Sequence, residues 1–190
     1  MERVLNVNTR NACQLSAVAL IISGLATSAC GDEAVEKDPT PFLTCSKETL
    51  EPDWREDAPI AGPGVDPATG ELKPGSYRIA TTYLPVKPEK AAAVLELSVP
   101  IVETLQRSRG LVAVATGQSQ SCAVFRTLTV WESEEDLLAF VLSPAHVRAM
   151  AETSAISRGS AATISWQGSA ADGSWDRAVD RLVGAANGER

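Results

Sequence analysis

Residues 121–132 (SCAVFRTLTVWE) carry the pattern that constrains the fold most, because their side chains alternate between two sides. Successive side chains of a β-strand point to opposite faces of the sheet. Cys122, Val124, Arg126, Leu128 and Val130 therefore share one face, and the residues between them share the other. The alternation predicts a long strand and a sheet around which the other elements are arranged.

The segments around this strand predict the element order β-α-β-β-α-β. Tyr, Ile and Thr favour a strand at 75–86, and an apolar stripe at helical spacing favours a helix over 88–109. Pro100 lies inside that helix, so we expect a kink or two short helices there. The other predicted elements are a strand at 111–116, a turn at 117–120, helices after Ser133, Ser143 and Ser174, and a strand at 162–168.

This order predicts an α+β fold of the ferredoxin-like type, with a four-stranded antiparallel sheet and the helices on one face. The other face of the sheet would then be bare, although apolar side chains line it. A large exposed apolar surface usually marks an interaction site. We therefore expect a homodimer that packs through this face.

The first thirty residues have the layout of a secretory signal. Arg3 and Arg10 precede an apolar run at 17–26, and small residues lead to Cys30. The run is shorter than the about 20 apolar residues that a membrane span needs. Its ending, T-S-A-C, resembles a bacterial lipobox, which implies a signal peptide at 1–29 and a diacylated Cys30. The alternative is an ordinary signal peptide cut near Ala29. We expect an exported chain, lipid-anchored to the bacterial cell membrane or outer membrane.

Residues 30–75 have the composition of a lipidated, acidic, Pro-rich tether. Positions 31–75 hold seven of the eleven prolines, and eleven acidic against four basic residues. Such a segment buries too little apolar surface to fold alone, although apolar residues at 42–45 and 50–54 would allow part of it to dock. We expect the folded domain to span 76–190.

Two cysteines remain once Cys13 has left with the signal peptide and Cys30 carries lipid, namely Cys45 and Cys122. An oxidising compartment favours a disulfide between them. The bond would join the tether to the domain and contribute about 3–4 kcal/mol in the chain-entropy model. The alternative is a pair of unpaired, buried thiols.

Residues 129–150 (TVWESEEDLLAFVLSPAHVRAM) resemble the dimeric α+β barrel superfamily, in particular the antibiotic biosynthesis monooxygenase type. The resemblance rests on Trp131-Glu132-Ser133 at the strand–helix junction, Phe140 in the helix, and Ser143-Pro144-Ala145-His146 after it. It covers about residues 76–170 and implies a fold of the dimeric α+β barrel type. The family includes cofactor-independent quinol or anthrone oxygenases, haem-degrading enzymes, isomerases and members without known activity.

His146 is the candidate catalytic residue, because a neutral imidazole in a cleft can accept a proton. Alternatively it plugs a helix end. Arg126 is costly on an apolar face unless paired, so it either binds an anionic or phenolate ligand or pairs with an acid across the dimer. The remaining candidates either line a pocket for an aromatic ligand or pack in the core; they are Trp131, Phe140, Tyr83 and Trp166.

Composition argues against several functions. The net charge of −7 is opposite to that of a nucleic-acid binder. A single His and the absence of a Cys-x-x-Cys spacing argue against a zinc or c-type haem site, so we expect no metal and no cofactor.

Two hypotheses for the function remain. The first is a membrane-tethered lipoprotein whose monooxygenase-like domain binds a small hydrophobic or aromatic molecule, with no assigned activity. The second is a cofactor-independent monooxygenase of an electron-rich aromatic, in which the substrate itself activates oxygen. A closed apolar pocket between helices and sheet would favour the second, and a filled core the first.

Overall fold

The computed structural model describes residues 45–187. The expected signal peptide at 1–29, the expected lipid site at Cys30 and the first part of the expected tether lie outside these residues. Between residues 45 and 187, no helix is long and apolar enough to cross a membrane. The described chain folds around one antiparallel sheet.

Five strands form this sheet, in the spatial order β1-β3-β4-β2-β5. They are β1 (Arg55–Glu56), β2 (Ser76–Pro85), β3 (Leu111–Ser119), β4 (Val124–Trp131) and β5 (Ala162–Ser169). The α+β, ferredoxin-like prediction is confirmed by the four long strands, all of which pair antiparallel with their neighbours. The expected count of four strands is corrected to five, because residues 55–56 of the predicted tether pair with Gly117 and Gln118 on the edge strand β3.

Three helices cover one face of the sheet, namely α1 (Ala91–Arg107), α2 (Glu134–Val141) and α3 (Pro144–Ile156). α1 is one continuous helix with Pro100 inside it, not the two short helices that the sequence allowed. Pro100 removes one helical donor. Val94 on one side of it and Leu105 on the other are both buried against the sheet, and this packing of both halves offsets the lost hydrogen bond.

Serine side chains cap three helices at the predicted positions. Ser133, Ser143 and Ser174 each accept a hydrogen bond from the backbone N–H three residues further on. Such caps satisfy donors that a helix N-terminus otherwise leaves unpaired. They fix the starts of α2, α3 and α4 (Trp175–Ala186), and they place His146 in the first turn of α3.

The opposite face of the sheet is covered by the chain itself. Residues 45–75, which we call the strap, and helix α4 pack on it. Their contributions to the core are Leu50, Trp54, Ile60, Val65 and Leu72 from the strap and Trp175 and Ala178 from α4. This corrects the expectation of a bare face. The apolar surface on which the homodimer argument depended is already buried within one copy.

The strap packs as part of the folded body. The backbone N–H groups of Ala61 and Val114 each donate to the other residue's carbonyl, at 3.0 and 2.8 Å. The Trp54 ring lies against Gly117, where an added Cβ would stand 2.4 Å from a ring atom, so the strap approaches β3 closely only because residue 117 is a glycine. The boundary expected at residue 76 therefore does not coincide with the packing, since strap residues from Leu50 onward pack against the core.

A disulfide joins Cys45 to Cys122, as the sequence predicted, across a sequence separation of 77 residues. Their Cα atoms are 5.7 Å apart. In the chain-entropy model, a loop of this length contributes about 4–5 kcal/mol to stability. Cys122 lies in the turn between β3 and β4, so the bond fastens the start of the strap to one end of the sheet.

Candidate functional site

On the helix-covered face, three candidate residues form an aromatic row. The rings of Trp131 and Phe140 stack with centroids 5.3 Å apart, and the Phe140 ring meets the His146 imidazole edge-on at 4.9 Å. Trp131 ends β4, Phe140 lies in α2 and His146 lies in the first turn of α3. The row therefore runs from the sheet to the corner between α2 and α3.

His146 caps the C-terminal end of α2. Its Nδ1 lies 3.2 Å from the carbonyl oxygen of Val141, the last residue of that helix. A carbonyl can only accept, so Nδ1 donates and Nε2 carries the lone pair of the neutral ring. Burial lowers the pKa of His146, and the bond to Val141 opposes this shift only in part. The ring is therefore predominantly neutral at pH 7, with Nε2 as its proton acceptor.

Side chains fill the space between this aromatic row and the sheet. Trp131 is fully buried and Phe140 is 7% exposed, and both pack with Ala80, Leu105 and Leu137. Trp131 and Phe140 therefore serve as core residues in this structure. A filled core between helices and sheet favours the first hypothesis, a domain that binds a small molecule and has no assigned activity.

On the strap-covered face, Arg126 pairs with an acid of its own chain. The side chains of Arg126 and Glu51 are 1% and 0% exposed. Nη2 donates to Glu51 Oε1 at 2.8 Å, and Nε lies 3.2 Å from both carboxylate oxygens. Nη2 also donates to the carbonyls of Ser46 and Thr49. The acid that pairs with Arg126 is thus Glu51 of its own strap and not an acid across a dimer, while Nη1 of Arg126 has no hydrogen-bond partner among the described residues.

Tyr83 and Trp166 lie on the same face as Arg126. The Arg126 guanidinium stands over the Tyr83 ring, 4.7 Å from its centroid, and burial raises the pKa of the Tyr83 phenol. Trp166 is 7% exposed, packs in the central cluster and receives Arg181 at 5.9 Å from its ring centroid. Each of the two rings therefore contacts an arginine, and both are too deeply buried for a ligand to stack on them.

Asp53 fastens the strap to the turn between β3 and β4. Its carboxylate accepts hydrogen bonds from the hydroxyls of Ser119 and Ser121 and from the backbone N–H groups of Gln120 and Ser121. These donors hold the pKa of Asp53 far below its usual value, with the Ser119 hydroxyl as the largest cause. The same turn carries Cys122. The ion pair of Glu51, the hydrogen bonds of Asp53 and the disulfide of Cys45 therefore all lie near one end of the sheet.

A groove of about 440 Å³ opens between the strap and the start of α4. Its two sides meet at Trp54 and Trp175, whose rings are edge-to-face with centroids 4.9 Å apart. Its floor is the sheet, and most of its walls are apolar, with carboxylates at the rim. The lining residues are Leu50, Trp54, Glu56, Pro59 and Ile60 of the strap, Ala115 and Leu128 of the sheet, and Gly173 to Asp176 before and within α4.

The structure divides the predicted site residues into two groups on opposite faces of the sheet. Trp131, Phe140 and His146 lie on one face of the sheet, and Arg126, Tyr83 and Trp166 lie on the other. In the chain from residue 45 to 187, no group of three or more His, Cys, Asp or Glu side chains is arranged to hold a metal ion.

The groove was not predicted from the sequence. Its aromatic residues, Trp54 and Trp175, are separated by more than a hundred positions in the chain, and nothing in the local sequence of either segment relates one to the other. The one usable signal was the apolar content of residues 50–54 within an otherwise polar tether.

Comparison with known families finds a match for the part of the chain that includes β2 to β4 and the helices on one face of the sheet. Residues 78–152 match the family model described as antibiotic biosynthesis monooxygenase. The match runs from β2 into α3, and covers less than half of the chain. It leaves out the strap, β5 and α4, so the elements that cover the second face of the sheet lie outside the matched region. No curated protein matches the chain.

Solved structures similar to this chain have low sequence identity. An antibiotic biosynthesis monooxygenase shares 18% identity over 47% of this chain and 95% of its own, with a TM-score of 0.43. A conserved protein from Methanosarcina mazei shares 17% over 48% of this chain and 90% of its own, with a TM-score of 0.43. The protein SO0527 from Shewanella oneidensis shares 9% over 52% of this chain and 97% of its own, with a TM-score of 0.46.

Proposed function

We propose that this protein is an exported lipoprotein, anchored through Cys30, whose monooxygenase-like domain binds a small hydrophobic or aromatic molecule. The observation that carries the binding part is the groove of about 440 Å³ between the strap and α4. Its volume falls within the range of about 300–1,000 Å³ that is usual for small-molecule sites. The rings of Trp54 and Trp175 are inclined at 71° to each other, and an apolar ligand in the groove would contact their exposed edges.

The groove is an open site and supports ligand binding. The aromatic row on the other face is packed in a filled core, so it supports catalysis less strongly than the groove supports binding. A ligand in the groove would touch mainly the apolar side chains of Trp54, Leu50 and Ile60, and the carboxylates of Glu56 and Asp176 lie only at the rim. His146, the residue best suited to proton transfer, lies on the opposite face of the sheet. The proposed primary role is therefore to bind a ligand, as an exported protein that is tethered to a membrane.

Fluorescence titration with N-phenyl-1-naphthylamine, a neutral aromatic probe, tests the binding proposal. Ala115→Leu adds a larger side chain at the floor of the groove and should abolish probe binding while the far-UV circular dichroism stays unchanged. Ala151→Leu, the same substitution at an exposed position of α3, is the matched control and should bind as the wild type does. Equal binding by both variants would reject the groove as the site.

Palmitate labelling of expressing cells tests the anchor. The wild-type chain should take up the label and partition into detergent, and Cys30→Ala should do neither. A wild-type chain that never enters the detergent phase would reject lipidation of Cys30 and would favour an ordinary signal peptide at residues 1–29.

A cofactor-independent monooxygenase is the second candidate, and the state of His146 favours it. The neutral ring is half-buried, its Nδ1 is fixed by Val141, and its lowered pKa keeps Nε2 available as a base. Oxygen uptake with a panel of quinols and anthrones tests this role. His146→Ala should lower turnover by about 10²–10⁴-fold if His146 is the general base. Wild-type rates equal to those of buffer would reject this candidate.

A further inference from the structure

One wall of the groove belongs entirely to the strap. Leu50, Trp54 and Ile60 reach the sheet from this segment, while the floor residues Ala115 and Leu128 belong to β3 and β4. Ala115 and Leu128 are 4% and 1% exposed, and part of that burial is supplied by the strap. If the strap lifted from the sheet, the groove would lose this wall and with it Trp54, one of its two tryptophans.

The first ten residues of the strap, 45–54, are fastened to the sheet by the disulfide and by the side-chain contacts of Glu51 and Asp53. Further along, the strap is held by the pairing of β1 with β3 and by the backbone bonds between Ala61 and Val114. The disulfide lies at Cys45, five positions before Leu50. The contacts of Glu51 with Arg126 and of Asp53 with Ser119 follow within the next eight residues. Of these fastenings only the disulfide can be opened and closed chemically without a change in sequence.

We propose that thiol–disulfide exchange at Cys45–Cys122 controls the occupancy of the groove. This inference rests on the ligand-binding function proposed above. In the oxidised chain the strap is held in place and the site is formed. In the reduced chain the first part of the strap, which carries Leu50 and Trp54, opens, and the ligand binds only to the fraction of molecules in which it is closed.

The exchange requires a dithiol as reductant. One thiolate of the dithiol attacks a sulfur of the disulfide and forms a mixed disulfide, and its second thiol then resolves this bond. The protein gains two electrons and two protons as two thiols, and the reductant becomes a disulfide. Cys122 is 1% exposed whereas Cys45 is half-buried. Attack is therefore expected at Cys45 Sγ, with Cys122 as the leaving thiol.

The loss of affinity follows from the fraction of closed strap. A ligand that binds only one conformation has an apparent Kd equal to its intrinsic Kd divided by the fraction of that conformation. We expect reduction to raise the Kd about tenfold, which corresponds to a strap that is closed about one-tenth of the time.

The experiment measures N-phenyl-1-naphthylamine binding and hydrogen exchange on the full chain, before and after treatment with dithiothreitol. The expected result is the rise in Kd together with faster exchange at 45–60, while exchange in β2 stays slow. Cys45→Ser should show the weak binding without reductant and no further change with it, which assigns the effect to this bond.

Each alternative outcome has a definite meaning. Equal Kd values and equal strap exchange in both redox states overturn the proposed control but leave the groove as a ligand site. Absence of probe binding in the oxidised chain overturns the ligand-binding proposal itself, and the proposed control with it. Faster exchange in β2 as well would indicate global unfolding and would also overturn a local opening of the strap.

Discussion

Removing the carboxylate of Glu51 should destabilise the protein more than any exposed charge substitution. Glu51→Gln keeps the shape of the side chain but leaves the guanidinium of Arg126, 1% exposed, without its counter-charge. A buried charge that loses its partner costs about 3–5 kcal/mol. In a domain of this size, each kcal/mol lowers Tm by roughly 3–4 °C, so a fall of about 10–20 °C is expected.

Urea denaturation followed by circular dichroism measures the change in the free energy of unfolding. The double variant Glu51→Leu/Arg126→Met removes both charges and should recover most of the lost stability, because an apolar pair of similar size is often as stable as a buried ion pair. Glu135→Gln is the control. Its pair with Arg109 is 84% and 80% exposed, so its loss should change stability by less than about 1 kcal/mol.

Two results would refute this reasoning. A loss of less than about 1 kcal/mol in Glu51→Gln would mean that water reaches Arg126 and that the pair is not buried in solution. A double variant as unstable as the single one would mean that Glu51 stabilises the strap by packing, independently of the charge on Arg126.

Three further predictions concern the core, the strap and the assembly. Phe140→Ala should lose about 3–5 kcal/mol of stability in urea denaturation, because Phe140 fills the core against Trp131; a loss below about 1 kcal/mol would contradict that role. The depressed pKa of Asp53 means that its contribution is present above the unfolded pKa of about 4 and is lost as pH falls below it; the protection factors of the strap amides, which correct hydrogen exchange for its intrinsic pH dependence, should therefore fall in acid, and Asp53→Asn should remove this effect. Light scattering should report a monomer at micromolar concentration, because the strap and α4 occupy the sheet face, and a dimer would require another interface.

The local patterns of the sequence predicted most of the secondary structure. The alternation at residues 121–132 predicted β4 from Val124 onward, although Cys122 lies in the turn before it, and short-range rules of serine capping predicted the starts of α2, α3 and α4. These features depend on residues within a few positions of one another, so the chain specifies them locally. The ferredoxin-like topology followed because few arrangements fit the order of the elements.

The pairing of Cys45 with Cys122 was also predictable, but for a different reason. The oxidising compartment that the expected signal peptide implies, together with the small number of cysteines, left few alternatives. No spatial argument was needed, and none was available, since nothing in the local sequence at Cys45 indicates where Cys122 lies.

The role of the strap was hidden because composition and packing pointed in opposite directions. Prolines and acidic residues make residues 45–75 appear to be a spacer, yet a few well-placed side chains among them cover half of a sheet face. Whether Glu51 meets Arg126, and whether Trp54 meets Trp175, depends on contacts between segments that are distant in the chain. Such contacts form only when the sheet has brought their partners into place, and they decide how this face of the sheet is covered and where the candidate ligand site lies.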